Sequence, residues 1–133
     1  MKQAFVHRSY LNEHRDSTLQ NNERLEFLGD AVLELVVTDY LFKHYPQEPE
    51  GDLTNWRSAL VRTESIGAAG QKLGFAELVR LSRGEKRGSA RAREQILANT
   101  YESVIGALYL QKGYDAAKDY IAKTLLPTFE TIL

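Results

Sequence analysis

With 133 residues, no cysteine, and 17 basic against 18 acidic side chains, the chain has the size of one domain with one core. Lack of cysteine excludes disulfides, thiolate metal centres and cysteine nucleophiles, so any metal must be held by oxygen or imidazole. No apolar run reaches the ~20 residues of a membrane span and no secretory signal pattern opens the chain, so a soluble, cytoplasmic protein without a membrane partner is expected.

Apolar residues recur at helical spacing, and no β-branched run bounded by turn residues reads as a strand, which predicts an all-α fold. Residues 2–12 read as a helix that begins without a cap. A long helix is predicted over 21–45, capped by Asn21 or Asn22 and stopped before Pro46 and Pro49. The next starts near Asp52 and continues through Trp56, Leu60 and Ile66 to Leu73, where Gly74 supplies a stop. A short helical turn over 75–79 leads into 80–93, where Arg80, Arg83, Lys86, Arg87, Arg91 and Arg93 stand against Glu85 alone. Gly84 and Gly88 make this basic stretch read as a loop. Helices over 93–112 and 115–131, separated by Gly113, complete the chain. The uncapped start, and a last helix that meets the final residue without a stop signal, predict a piece of a longer protein.

At ~100° per residue, Glu23, Glu26, Asp30 and Glu34 fall within an arc of roughly 80° on the long helix. Leu25, Leu28, Val32, Leu35 and Val36 form the opposing apolar stripe. Like charges so crowded repel unless neutralised, and a divalent cation would neutralise them. A solvated acidic face beside a helix N-terminus is the plainer alternative. A second group of oxygen donors, Asn99 and Glu102, lies one turn apart on a later helix whose Leu97, Tyr101, Val104 and Leu108 face the other way. Hard oxygen donors on two helices, with neither cysteine nor a histidine pair, suit Mg²⁺ or Mn²⁺ rather than zinc.

NERLEFLGDAVL at 22–33, accompanied in order by HRSYLNE, PEGDLT, LSRGE and ILANTYESVIGALYL, resembles the bacterial ribonuclease III family over essentially the whole chain. The resemblance implies the catalytic-domain helical fold of that family across 1–133, as a homodimer whose two active sites flank a groove for double-stranded RNA. It maps the metal ligands onto Glu26, Asp30, Asn99 and Glu102, with Glu102 the strongest candidate for an essential residue; Glu23 and Glu50 match accessory acidic positions. Phe27 falls beside the acidic arc, where the family seats an aromatic side chain in a socket of the partner subunit; an ordinary core phenylalanine is the alternative. The implied reaction is metal-dependent hydrolysis of the phosphodiester, leaving 5′-phosphate and 3′-hydroxyl ends with short 3′ overhangs. The family's C-terminal double-stranded-RNA-binding domain is not in this sequence.

Asn99 departs from the family pattern, which has aspartate there. A neutral amide still coordinates hard cations but holds them less tightly, which predicts reduced rather than absent activity at limiting Mg²⁺. Arg83, Lys86 and Arg87 are the candidate RNA contacts in the basic stretch, with a solvated loop as the alternative. His7 reads as a structural hydrogen-bonding residue, and His14 and His44 form no HExxH pair. Ser9 and Ser103 lack a recognisable base partner, and Trp56 and Tyr101 read as core. Two rival functions remain: a weakened or inactive relative acting as a dimeric RNA-binding scaffold, and an unrelated helical interaction module.

Overall fold

The computed structural model describes residues 1–129. Eight α-helices follow in chain order among these residues: α1 (Arg8–Glu13), α2 (Glu23–His44), α3 (Glu50–Val61), α4 (Thr63–Lys72), α5 (Phe75–Leu78), α6 (Arg83–Lys86), α7 (Ala90–Lys112) and α8 (Tyr114–Thr124). The all-α expectation holds, with one isolated parallel bridge between Val6 and Arg80 as the β-type pairing among them. None of these helices is long and apolar enough to cross a membrane.

The centre of the domain is α7, which packs against α2 on one side and α4 on another and carries α8 beside its C-terminal half. Its start is fixed by Ser89, whose hydroxyl accepts the Ala92 N–H at 3.1 Å, and its end by Gly113 at φ +89°. Leu97, Tyr101, Val104 and Ile105 of α7 meet Leu33, Val36 and Val37 of α2 in the core. Tyr101 is fully buried, with its hydroxyl hydrogen-bonded to Thr124 Oγ1 at 2.6 Å. Trp56 packs with Tyr45 and Phe129 at ring-centroid distances of 5.3 and 5.5 Å, so both aromatic residues expected in the core lie there.

Two glycines set the α2–α7 crossing. A Cβ on Gly29 would overlap the backbone carbonyl of Glu102, and one on Gly106 would overlap that of Leu25. The helices therefore touch backbone to backbone, which side chains larger than hydrogen would forbid. Gly67 and Gly70 of α4 make a looser approach to Glu94 and Leu97 on the other side of α7.

Several boundaries differ from the sequence-based expectation. Residues 2–12 do not form one helix: a 3-10 turn over Lys2–Phe5 ends at Val6, which is extended and fully buried. Long-range bonds hold it there, with Arg80 N–H donating to Phe5 O (2.7 Å), His7 N–H to Arg80 O (3.1 Å) and Asn22 N–H to Val6 O (2.9 Å). Such partners outcompete a helical ladder that a short uncapped segment can barely start. The single helix expected over 52–73 is two, broken at extended Arg62, whose carbonyl accepts the first amides of α4. This bend carries α4 onto α7. The basic stretch contains α6, capped by Ser82 through the Glu85 N–H at 3.1 Å, and α7 begins three residues earlier than expected. The last helix stops at Thr124 and a 3-10 turn follows at Leu126–Thr128; the expected end at Thr131 lies outside the described residues.

The N-cap of α2 is Asn22, whose side chain makes no cap hydrogen bond, while Asn21 Oδ1 accepts the Glu23 N–H at 3.0 Å. Asn22 instead is buried and donates to Ala4 O at 3.1 Å, fastening the N-terminal segment to the helix. The apolar stripe of α2 is narrower than expected. Val32 and Val36 are buried and Leu25 and Leu28 partly so, but Leu35 is 56% exposed.

Candidate active site

The first half of α2 and the middle of α7 form two walls of an open cleft of about 600 Å³. Glu23, Glu26 and Asp30 line it from α2, and Gln95, Asn99 and Glu102 from α7. The N-terminal segment supplies a third wall through His7 and Arg8. Because Gly29 rests on the Glu102 carbonyl, the side chains of its neighbour Asp30 and of Glu102 itself are drawn to the same spot.

The electrostatics record that convergence. Burial pushes the Glu102 carboxyl up to about 9, reinforced by a hydrogen bond to Asp30 and by the charges of Asp30, Glu26 and Glu34. Glu102 therefore holds a proton at neutral pH and donates it to Asp30. The Glu26 carboxyl is also raised, first by burial and then by the charges of Glu23 and Asp30.

The donor set is a converging pair with acids around it rather than a ready-made cage: among the described residues, no three His, Cys, Asp or Glu side chains stand together as metal ligands. Mg²⁺ is usually held by one or two carboxylates with water and phosphate oxygens completing its octahedron, so a carboxylate pair lining an open cleft fits it better than zinc or a fully protein-ligated Ca²⁺. Asn99 Oδ1 accepts a hydrogen bond from Gln95 Nε2 at 2.9 Å, one turn earlier, and a carbonyl oxygen keeps a second lone pair.

Other candidates lie elsewhere. Glu34 is exposed on the next turn of α2 and does not line the cleft, although its charge reaches Glu102. Glu50 is exposed at the first residue of α3 and also does not line it. Phe27 is 83% exposed at the cleft edge, so it is not an ordinary core residue. Arg83, Lys86 and Arg87 are exposed on and just after α6, away from the cleft lining. Arg83 is tied to Glu13, which accepts its backbone N–H at 3.2 Å.

Sequence reasoning missed Arg8, Asn22 and Gln95 as lining residues, and took His7 as structural alone. The structural part holds: His7 Nδ1 accepts the Ser9 N–H at 3.1 Å and pairs with Ser9 Oγ at 2.7 Å. Ser103 is likewise structural, donating to Asn22 O at 3.3 Å and Asn99 O at 2.9 Å.

The family model described as Ribonuclease-III-like matches residues 1–129, and the chain belongs to the ribonuclease III family. It is 45% identical to Ribonuclease 3 of Streptococcus gordonii over 98% of this chain and 56% of that protein, and 46% identical to Ribonuclease 3 of Listeria monocytogenes serotype 4a over 98% and 57%. The chain thus spans little more than half the length of these curated relatives. Among solved structures, the Ribonuclease III nuclease domain from Campylobacter jejuni superposes with a TM-score of 0.83 at 35% identity, covering 95% of this chain and 86% of that one. That structure is described as flexible in a region involved in dimer formation. Dicer from Pichia stipitis superposes at 0.69 with 30% identity, over 98% of this chain and 54% of that one.

Proposed function

We propose that this domain is a metal-dependent endoribonuclease that hydrolyses double-stranded RNA in the cytoplasm, leaving 5′-phosphate and 3′-hydroxyl ends with short 3′ overhangs. The observation that carries the reading is the meeting of Asp30 and Glu102 across the α2–α7 crossing. Glu26, Asp30 and Glu102, with Asn99 as a neutral fourth donor, would hold Mg²⁺ or Mn²⁺, which when bound supplies charge neutralisation and an activated water. Glu102 would be deprotonated in the metal-bound form, and the open cleft leaves room for a sugar-phosphate backbone. Glu23 adds negative charge at the rim, and Glu50 remains an accessory acid outside the cleft. Arg83, Lys86 and Arg87 offer exposed positive charge for phosphates. Purified protein incubated with a long RNA duplex should cleave it with Mg²⁺ or Mn²⁺ and leave it intact in chelator. Binding without cleavage would favour the scaffold reading, and neither would favour the interaction module.

The neutral donor has a measurable consequence. Asn99→Asp should lower the metal concentration for half-maximal cleavage by roughly tenfold, the worth of about 1.4 kcal/mol of added attraction. An unchanged or higher requirement removes Asn99 from the ligand set.

The working form is a homodimer. Phe27, Leu35 and Phe42 are 83%, 56% and 71% exposed, and with ~100° per residue they share an arc of roughly 80° on α2. An apolar row of this size is seldom left to water. A second copy of the chain seated on it would bring two clefts onto one duplex. Light scattering should return twice the 15.1 kDa chain mass, and Phe27→Glu should return the single mass. A wild-type monomer, or a dimer indifferent to the glutamate, would contradict Phe27 as the anchor.

A further inference from the structure

We infer that Arg8 is a phosphate-contacting residue of the cleft, gripping the RNA strand from the wall supplied by the N-terminal segment; this rests on the endoribonuclease reading above. A cleft lined by Glu23, Glu26, Asp30 and Glu102 repels a polyanion, and cation binding offsets that only at the spot where the cation sits. Holding the strand on either side of that spot needs positive charge within the same cleft. The exposed cations of the α6 region do not line it. Arg8 does, beside His7, and among the described residues it is the one permanently charged cation in the lining.

Three observations support the assignment. Arg8 is exposed and has no acidic partner within 4.0 Å among the described residues, unlike Arg83, Lys43 and Arg62. An arginine left unpaired next to several carboxylates is available to a ligand. The segment carrying it is held by three long-range bonds: His7 N–H donates to Arg80 O, Asn22 N–H to Val6 O, and the Ser9 hydroxyl accepts Ser82 N–H at 2.9 Å. Anchoring of this kind lowers the entropy lost when the side chain takes hold of a phosphate. Finally, His7 Nδ1 is committed as an acceptor to the Ser9 N–H, so the neutral ring carries its proton on Nε2 as a donor. The guanidinium can present two N–H groups to one phosphate, which the lysine ammonium cannot do in the same geometry.

The test is binding of a 30-base-pair RNA duplex to the whole protein in chelator across a salt series, with cleavage kinetics in Mg²⁺ alongside. Arg8→Ala should weaken binding by about tenfold at 0.1 M salt and reduce the slope of log K against log salt by about one, the signature of one lost phosphate contact. In cleavage it should raise KM and leave kcat near the wild-type value. Arg8→Lys should restore most of the salt slope, which a purely structural role for Arg8 would not. An Arg8→Ala protein with wild-type affinity and slope that still cuts RNA overturns the role of Arg8 alone. Wild-type protein that neither binds nor cuts the duplex overturns the endoribonuclease reading and this inference with it.

Discussion

Glu102→Gln should reduce cleavage by on the order of a thousandfold, the rate equivalent of several kcal/mol of lost charge stabilisation, while making the metal-free protein more stable at neutral and alkaline pH. The two effects have one origin. Glu102 is held near 9, against its ordinary value of 4.5, chiefly by burial. A carboxyl raised in the folded state contributes stability that is fully present below about 4.5 and is lost as the pH climbs towards 9, because the unfolded chain can ionise freely and the folded chain cannot. Glutamine cannot ionise, and its amide can still donate to Asp30, so the variant escapes that loss. Melting temperatures in chelator from pH 5 to pH 9 should fall for the wild type, and the variant should be the more stable protein at pH 8. Adding Mn²⁺ at pH 8 should raise the wild-type value and leave the variant's unmoved. A variant less stable than wild type at pH 8 without metal would mean that Glu102 does not carry the buried proton.

The second large effect is expected at Gly29. An alanine Cβ there would overlap the Glu102 carbonyl oxygen and come within 2.9 Å of the Gly106 nitrogen. Both obstacles are backbone, so no side chain can rotate away and the helices themselves must separate. Overpacking relieved only by backbone movement costs about 3 kcal/mol, which lowers the melting temperature of a domain this size by on the order of 10 °C. Separation would also pull Asp30 from Glu102, so Gly29→Ala should cut RNA poorly even at temperatures where it remains folded. Gly51→Ala, where the new Cβ meets nothing within 4 Å on a helix, should keep its activity and gain a few tenths of a kcal/mol. Equal behaviour of the two variants would show that the crossing does not govern the site.

Helix positions were legible where local chemistry announces them. Pro46 follows the end of α2 and Pro49 caps α3, Gly113 separates α7 from α8, and the acid arc of α2 follows from period alone. The break at Arg62 carries neither glycine nor proline, and its cause is the docking of α4 on α7, a tertiary demand. Val6 looks like one more apolar residue of a short helix until Arg80, 74 positions away, offers it a partner. Leu35 was assigned to the buried stripe because period fixes an angle and not the width of what covers it. In the cleft, the carboxylates were readable as like charges clustered on two helix faces, but that Glu102 meets Asp30 while Glu50 stays outside depends on where α2, α3 and α7 cross. Arg8 gave no local signal, since its place in the cleft comes from the pairing of its segment with residues 80–82 and Asn22.

The most direct measurement is a crystal structure of the protein grown with Mn²⁺, with anomalous differences collected at the manganese edge. A peak within about 2.5 Å of carboxylate oxygens from both Asp30 and Glu102 is the expected result. Manganese bound only elsewhere on the surface, with no peak between the two carboxyls, would contradict a cation site formed where α2 crosses α7.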